Sequence, residues 1–225
     1  RSDKIVICTG LKPVIPDIKG KEYLHDSTDF LDIAELPKHT IIIGAGFVGM
    51  EFASIIAEAG LTADVIIRGN MALKYFHQPY VENVIEILKE KGIRFHFNEQ
   101  VKEIINNVEI DNPEAKVSNA VQGLNANEDL RDTDSKLDNN AYEDGFTLNC
   151  ESGLSLTGDY VIAAMGRTAN VEDIGLENVG LTYTNQGIKV NGHLQTEVEN
   201  IYASGDAADT GIAKLVTVAI HQSKI

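Results

Sequence analysis

Three glycines at fixed spacing stand between an apolar run and a segment with helical periodicity. They form a Gly-x-Gly-x-x-Gly pattern directly after residues 40–43. The first glycine permits a tight turn, the second lets the backbone approach a pyrophosphate, and the third lets helix and strand pack closely. Free N–H groups at the start of the following helix would face the phosphates. The pattern favours a dinucleotide-binding turn over an ordinary glycine-rich turn, with contacts from Gly44, Ala45, Gly46, Phe47, Val48 and Gly49.

The end of the next predicted strand indicates which nucleotide is bound. A site for an unphosphorylated ribose normally places Asp or Glu there, to accept hydrogen bonds from the 2′-hydroxyl. This chain instead has Ile67, followed by Arg68 and, six residues later, by Lys74. Because two cations suit a 2′-phosphate that a carboxylate would repel, the pattern favours NADPH over NADH. The alternative is that both side chains are merely solvated.

The elements around this turn alternate between strand and helix. Short apolar runs predict three strands, at residues 40–43, 63–67 and 93–97. Apolar residues at helical spacing predict two helices between them, at residues 47–59 and 81–88, each followed by a glycine. This βαβαβ order predicts an α/β fold with a Rossmann-type, doubly wound parallel sheet.

A second group of strands is expected to form an antiparallel β-meander. Its strands are predicted at residues 101–108 and 146–150, and a further apolar strand at residues 159–164. The stretch from Glu109 to Asp144 has ten acidic residues against three basic ones, which leaves it seven of the chain's 15 net negative charges. It is rich in asparagine and lacks periodicity, so we expect a solvated insertion rather than an acidic docking site.

Composition and charge narrow the class of protein. The chain has 225 residues and 34 acidic against 19 basic side chains, with a pI near 4.7. This charge argues against nucleic acid and against an anionic membrane surface. The two cysteines, Cys8 and Cys150, are far apart and lack the spacing of metal ligands, and the six histidines show no spacing to a catalytic partner. No metal site and no catalytic residue are therefore predicted. Without a signal peptide or a span of roughly 20 apolar residues, we expect a cytoplasmic protein with a small-molecule nucleotide as partner.

Four segments, in order, resemble signatures of the FAD-dependent pyridine nucleotide-disulfide oxidoreductases, the glutathione reductase and dihydrolipoamide dehydrogenase family. Residues 6–10 resemble its Ala-Thr-Gly strand end, and residues 44–51 resemble its second dinucleotide fingerprint. Residues 164–170 are similar to its Gly-Arg-x-Pro-Asn segment. Thr196 with residues 201–206 resembles its second FAD-binding motif. The resemblance covers nearly the whole chain except the acidic stretch.

The resemblance implies roles for individual residues. Phe47 would cover the nicotinamide pocket, without a hydroxyl, and Glu51 would lie near the nicotinamide carboxamide. Arg68 and Lys74 would bind the 2′-phosphate. Asp206 would hydrogen-bond the ribityl chain of FAD, since a carboxylate accepts from a hydroxyl. The other implied cofactor contacts are glycines, with one on the nicotinamide side (Gly166) and two in the FAD segments (Gly10 and Gly205).

The sequence also departs from the family pattern. Gly49 stands where NADPH-linked members often have alanine, which argues against NADPH. Ala169 replaces the proline, and residues 215–219 read Leu-Val-Thr-Val-Ala where Leu-Thr-Pro-Val-Ala is common. The family's first Gly-x-Gly-x-x-Gly, its CxxxxC redox pair and its dimerisation domain are expected to lie outside these 225 residues. The intact protein is accordingly expected to be a homodimer that carries FAD.

These expectations combine into a domain assignment and a function. Residues 1–34 and 167–225 are assigned to an FAD domain, and residues 35–166 to an NAD(P)-binding domain with the acidic insertion in a hairpin. The intact protein would pass a hydride from NADPH to FAD and on to a disulfide, whereas the 225 residues alone would bind nucleotide without turnover. The alternatives are an NADH oxidase or ferredoxin-reductase-like flavoenzyme, and a non-catalytic nucleotide-binding sensor.

Overall fold

The computed structural model describes residues 2–108 and 145–224, and the predicted acidic insertion lies outside the described residues. The strands within these ranges are β1 (Ile5–Ile7), β2 (Leu11–Pro13), β3 (His39–Ile43), β4 (Thr62–Ile67), β5 (Ile93–Phe97), β6 (Val101–Asn106), β7 (Phe146–Cys150), β8 (Ser155–Gly158), β9 (Tyr160–Ala163), β10 (Arg167–Ala169), β11 (Tyr183–Thr184), β12 (Gly187–Lys189), β13 (Ile201–Ala203) and β14 (Ala208–Asp209). The α-helices that lie wholly within them are α1 (Ser27–Asp32), α2 (Phe47–Glu58), α3 (Gln78–Glu90) and α4 (Val216–Gln222).

The chain divides into two compact units. The central unit is Ile15–Met165, and the terminal unit is Arg1–Val14 together with Gly166–Ile225. The sequence-based boundary near residue 34 differs from this division, because Phe30 packs into the core of the central unit. The assignment of each segment to a particular cofactor stays a prediction.

The central unit contains the predicted doubly wound sheet. Its four strands are all parallel, in the order β5-β4-β3-β9. Successive residues of β3 face opposite sides of this sheet. Ile42 packs into the core that includes α2 and α3, whereas Ile41 and Ile43 pack against the antiparallel meander β6-β7-β8. The α/β fold with a meander is therefore confirmed.

Glycines end both long helices of the central unit, as predicted. The helix α2 is capped at Ala59 and is followed by Gly60 at φ 73°, and α3 is followed by Gly92 at φ 93°. Only glycine adopts this left-handed conformation without strain, so the chain can leave each helix there. The helix α3 is longer than the predicted range of residues 81–88, since it extends from Gln78 to Glu90. The strand predicted over residues 101–108 ends earlier in the structure, at Asn106.

One short helix of the central unit has no apolar pattern that predicts it. The helix α1 begins with a capping box, in which the Asp26 side chain accepts from the Thr28 and Asp29 N–H groups. The Asp29 carboxylate accepts in turn from the Asp26 N–H, at 2.8 Å. These bonds satisfy N–H groups that no helical carbonyl can reach. Phe30 then anchors the helix in the core.

The terminal unit is built from very short strands. The strands β1 and β13 pair in parallel, β2 and β10 pair antiparallel, and β12 pairs with both β11 and β14. Their shared core includes Ile7, Leu176, Ile188 and Ile201. Within residues 2–108 and 145–224, no helix combines the length and apolar character needed to cross a bilayer.

Candidate cofactor-binding sites

The first glycine of the central unit's turn is required by its backbone and its neighbours. Gly44 follows β3 directly and has φ 110°, in the region that favours glycine. Its N–H donates to the Ile66 carbonyl at 2.8 Å, which ties the turn to the end of β4. A Cβ at this position would lie 2.5 Å from the Ala164 carbonyl oxygen, inside contact distance. A side chain at Gly44 would therefore force β3 away from the segment after β9.

The third glycine lets α2 start close to the strand it follows. A Cβ on Gly49 would lie 2.1 Å from the Gly44 carbonyl oxygen and 3.4 Å from the Ala164 Cβ. Alanine, which NADPH-linked relatives often have here, would require the first turn of α2 to move. Packing thus accounts for Gly49 whichever nucleotide binds.

The second glycine leaves room for a ligand at the N-terminus of α2. Gly46 is the N-cap residue, and a Cβ there would meet no heavy atom within 4 Å. No side chain caps the helix, so its first N–H groups are available to an anion. Gly46 and Phe47 are both exposed. A bare backbone, free N–H groups and open space are what a pyrophosphate requires, so these residues fit a dinucleotide.

The loop after β4 is fastened to the glycine-rich turn. The Leu73 N–H donates to the Ala45 carbonyl at 2.8 Å. The Gln78 amide donates to the carbonyls of Ala72, Leu73 and Phe76 at 3.1–3.4 Å, which holds the loop at the start of α3. The structure therefore places this loop beside the turn, at the carboxyl edge of the sheet where such folds bind ligands.

The two predicted 2′-phosphate ligands lie at this edge and are exposed. Arg68 follows β4 directly, and Lys74 lies in the fastened loop. The Lys74 ammonium lies 4.9 Å from the centre of the Tyr75 ring. Among the described residues, no carboxylate forms an ion pair with either cation. Both cations can therefore meet an incoming phosphate, although their role stays a prediction.

Two further predicted contacts lie on α2. Phe47 is 60% exposed, which is unusual for a phenylalanine, and Glu51 is exposed one helical turn later. Residues four apart lie on the same face of a helix, so both side chains leave α2 on one side. The proposed nicotinamide contacts of Phe47 and Glu51 stay predictions.

A buried charge cluster crosses the parallel sheet, from His39 at the start of β3 to His96 near the end of β5. Asp64 is fully buried, and its carboxylate lies 2.8 Å from His39 Nε2 and 2.6 Å from His96 Nε2. The Arg94 guanidinium donates to both of its oxygens, at 2.7 and 2.6 Å. Burial alone would raise the pKa of the Asp64 carboxyl, but these hydrogen bonds outweigh it and hold that pKa far below its usual range. Sequence reasoning missed this cluster, and the complete pairing of its buried carboxylate with three side chains indicates a structural role.

The terminal unit brings two of its predicted flavin segments together. Because β1 and β13 are paired in parallel, Gly10 and Gly205 follow strands that end at the same edge. The Ser204 N–H donates to the Ile7 carbonyl at 3.0 Å, and the Asn170 N–H donates to the Gly10 carbonyl at 2.9 Å. Gly10 has φ 70°, and a Cβ there would meet open space.

The carboxylate of Asp206 is available to a ligand. It is half-buried, and among the described residues it has no hydrogen-bonded or ion-paired partner. An unpaired carboxylate beside bare glycine backbone fits a group rich in hydroxyls, such as the ribityl chain of a flavin. Gly166 also belongs to the terminal unit, with φ 124° and open space around its Cβ position. The cofactor contacts of these glycines and of Asp206 stay predictions.

The two cysteines differ in environment. Cys8 is exposed just after β1, whereas Cys150 is buried at the end of β7. Burial and the nearby Glu99 carboxylate raise the pKa of the Cys150 thiol to about 11, so it stays protonated and unreactive near neutral pH. Among the described residues, no group of three His, Cys, Asp or Glu side chains is placed to hold a metal ion.

The chain is similar along its length to known proteins. The chain is 30% identical over 227 residues to a soluble pyridine nucleotide transhydrogenase of Photorhabdus laumondii, covering 100% of the chain and 41% of that relative. It is 31% identical over 226 residues to a dihydrolipoyl dehydrogenase of Buchnera aphidicola, covering 99% of the chain and 41% of that relative. The chain thus spans about two-fifths of the length of these relatives.

Two solved structures have the same fold. The HOCl-induced flavoprotein disulfide reductase RclA from Escherichia coli superposes with a TM-score of 0.76 at 25% identity, over 99% of this chain and 43% of that one. The water-forming NADH oxidase from Lactobacillus brevis has a TM-score of 0.72 at 18% identity, over 98% and 44% of the two chains. The pyridine nucleotide-disulphide oxidoreductase family model matches residues 1–223, and the chain therefore belongs to this family of flavin-dependent oxidoreductases.

Proposed function

We propose that the intact protein takes a hydride from NADPH and passes it through FAD to a disulfide. The observation that carries the proposal is the hydrogen bond from the Leu73 N–H to the Ala45 carbonyl, which joins the loop that carries Lys74 to the glycine-rich turn. This bond holds Lys74 at the sheet edge where Arg68 follows β4, so that both exposed cations share this edge with the proposed pyrophosphate site. The arrangement supports a nucleotide that carries an additional phosphate on its ribose.

The residues of the central unit would bind and orient the nucleotide. The N-terminus of α2 would bind the pyrophosphate, while Arg68 and Lys74 would bind the 2′-phosphate. Phe47 would cover the nicotinamide and exclude water, and Glu51 would accept a hydrogen bond from the carboxamide. Such positioning is the main contribution of a protein whose redox chemistry belongs to its cofactors.

In the terminal unit, Asp206 would accept a hydrogen bond from the ribityl chain of FAD. The glycines Gly10 and Gly205 would let the backbone approach the same group, because neither carries a side chain. A bound flavin supplies two-electron transfer between the nucleotide and the acceptor. With a disulfide as acceptor, NADPH and one proton are consumed, and NADP⁺ and two thiols are formed.

Nucleotide binding is tested by titrating the protein with NADPH and with NADH. We expect Arg68→Ala and Lys74→Ala each to weaken NADPH binding about tenfold, because each removes a charge-assisted bond to phosphate. Their affinity for NADH should not change. Lys102→Ala, at an exposed lysine of β6, is the matched control and should leave both affinities unchanged. Equal losses for the two nucleotides, or no loss, would contradict the 2′-phosphate site.

A second acceptor is favoured by the relatives. Several proteins similar to this chain are named soluble pyridine nucleotide transhydrogenase, at 28–30% identity. In that case NAD⁺ instead of a disulfide would take the hydride. The intact protein, given NADPH with either thio-NAD⁺ or a small disulfide, should reduce the disulfide at the higher rate under the first proposal. Faster reduction of thio-NAD⁺ would favour the second.

A further inference from the structure

A lysine of the terminal unit is bound entirely by backbone carbonyls. The Lys214 ammonium donates to the Gln186 carbonyl at 2.7 Å, to the Asp206 carbonyl at 2.8 Å and to the Ala208 carbonyl. Lys214 itself lies in the loop between β14 and α4. Its side chain therefore connects its own loop to two stretches of backbone, the turn at Gln186 and the stretch that carries Asp206 and Ala208.

These three bonds use all of the hydrogen-bonding capacity of the lysine. An ammonium has three N–H donors and no acceptor, so Lys214 has none left for a ligand. Burial lowers the pKa of Lys214, while the Asp206 and Asp209 carboxylates favour its charged form. Lys214 therefore cannot donate a hydrogen bond to a cofactor, and it can act on one through the backbone it holds and through its charge beside Asp206.

The same segment is held from a second side. The buried Gln222 side chain of α4 accepts a hydrogen bond from the Gly205 N–H at 2.8 Å. Across the segment, Gly187 allows a close approach of β12, since a Cβ there would lie 2.3 Å from the Ala207 carbonyl oxygen. The backbone of Gly205–Ala207 is thus fixed on all these sides, whereas the Asp206 carboxylate has no hydrogen-bonded or ion-paired partner among the described residues.

We infer that Lys214 is a positioning residue, which fixes the backbone around Asp206 so that the free carboxylate faces the flavin in one orientation. The inference rests on the proposed function, because it takes Asp206 as a flavin ligand. Removing the ammonium would leave three carbonyls without their donor. Asp206 would then have to be ordered when the flavin binds, which lowers affinity.

A double-mutant cycle on flavin affinity tests this inference. The intact protein, freed of flavin, is titrated with FAD as wild type, as Lys214→Met, as Asp206→Asn and with both substitutions. Each single variant should weaken FAD binding about tenfold, equivalent to about 1.4 kcal/mol. The double variant should be little weaker than either single one, because Lys214 acts through Asp206.

Two controls separate this role from general destabilisation. Lys189→Met, at an exposed lysine of β12, should leave FAD affinity unchanged. NADPH affinity should be unchanged in every variant, because none of the substituted residues is a proposed nucleotide contact. Amide hydrogen exchange at residues 205–208 should be faster in Lys214→Met than in wild type. If Lys214→Met does not fold, Lys214→Gln, which keeps two N–H donors on a shorter chain, should show a smaller loss in the same direction.

The outcomes distinguish the inference from the function on which it rests. Unchanged FAD affinity in the Lys214 variants, with a clear loss in Asp206→Asn, would overturn the inference and leave the flavin site in place. Losses that multiply in the double variant would also overturn it, since the two residues would then act independently. No loss in Asp206→Asn would instead contradict the proposed flavin role of Asp206.

Discussion

The hydroxyl of Tyr160 is buried in the central unit and, among the described residues, has no hydrogen-bond partner. Its ring is well packed, with its centre 3.9 Å from that of His25 and 6.5 Å from that of Phe30. Burial and the nearby Asp29 and Asp26 carboxylates raise the pKa of this phenol. Tyr160 therefore contributes its ring to stability and loses the hydration of its hydroxyl.

We expect Tyr160→Phe to raise the free energy of unfolding by about 1 kcal/mol, because it removes an unpaired polar group and keeps the ring. Urea denaturation of the two proteins measures the change. Tyr80→Phe, at a tyrosine of α3 that is 71% exposed, should have no measurable effect. A less stable Tyr160→Phe would mean that the hydroxyl has a partner in solution.

The elements that could be predicted are those fixed by local sterics and by a repeated pattern. The glycine turn follows from its spacing, because two of its requirements are local: a Cβ on Gly49 would meet the Gly44 carbonyl five residues earlier, and Gly44 itself has a positive φ. The contact of Gly44 with Ala164, far along the chain, could not be predicted in the same way. The strands β11 and β14 have two residues each and exist through pairing with β12, which no local pattern indicates. The Lys214 contacts could not be predicted either, since their acceptors are backbone carbonyls that any residue has.

The turn offers a matched pair of substitutions that separate packing from ligand binding. Gly49→Ala places a Cβ 2.1 Å from the Gly44 carbonyl oxygen, so α2 must shift. We expect a loss of about 1–3 kcal/mol in the free energy of unfolding, together with weaker nucleotide binding.

Gly46→Ser should behave in the opposite way. Its Cβ meets open space, and its hydroxyl can cap the first N–H groups of α2, so stability should not fall. NADPH affinity should fall, because the side chain occupies the approach to those groups. Urea denaturation and NADPH titration of both variants measure these effects. Unchanged stability in Gly49→Ala would contradict the packing argument, and unchanged affinity in Gly46→Ser would contradict the phosphate site.

Both units of the molecule use the same physical arrangement. In the central unit, the proposed nucleotide contacts follow the parallel strands β3 and β4, and in the terminal unit Gly10 and Gly205 follow the parallel pair β1 and β13. The carboxyl ends of parallel strands place loops and free backbone groups side by side. The acidic stretch supplies nearly half of the net charge of −15. The net charge therefore says little about which ligands bind at the two sheet edges.

The central unit also incorporates a segment that precedes its βαβ run. The His25 N–H donates to the Val161 carbonyl, and its own carbonyl accepts from the Ala163 N–H, both at 2.9 Å, so the segment pairs alongside β9. Burial lowers the pKa of the His25 imidazole, while Asp29 and Asp26 partly oppose this effect. The imidazole therefore stays neutral in the folded state at a pH where it is already protonated in the unfolded chain.

This difference makes the stability of the central unit depend on pH. Where the unfolded chain binds more protons than the folded one, the free energy of unfolding rises with pH. The contribution of His25 is fully present above its ordinary pKa of about 6.5 and is lost as the pH falls below that value. His25→Phe keeps an aromatic ring against Tyr160 but cannot titrate. Urea denaturation at about pH 5 and about pH 7.5 should show a smaller stability difference for His25→Phe than for wild type. An equal difference in the two proteins would show that His25 keeps its ordinary pKa in the folded state.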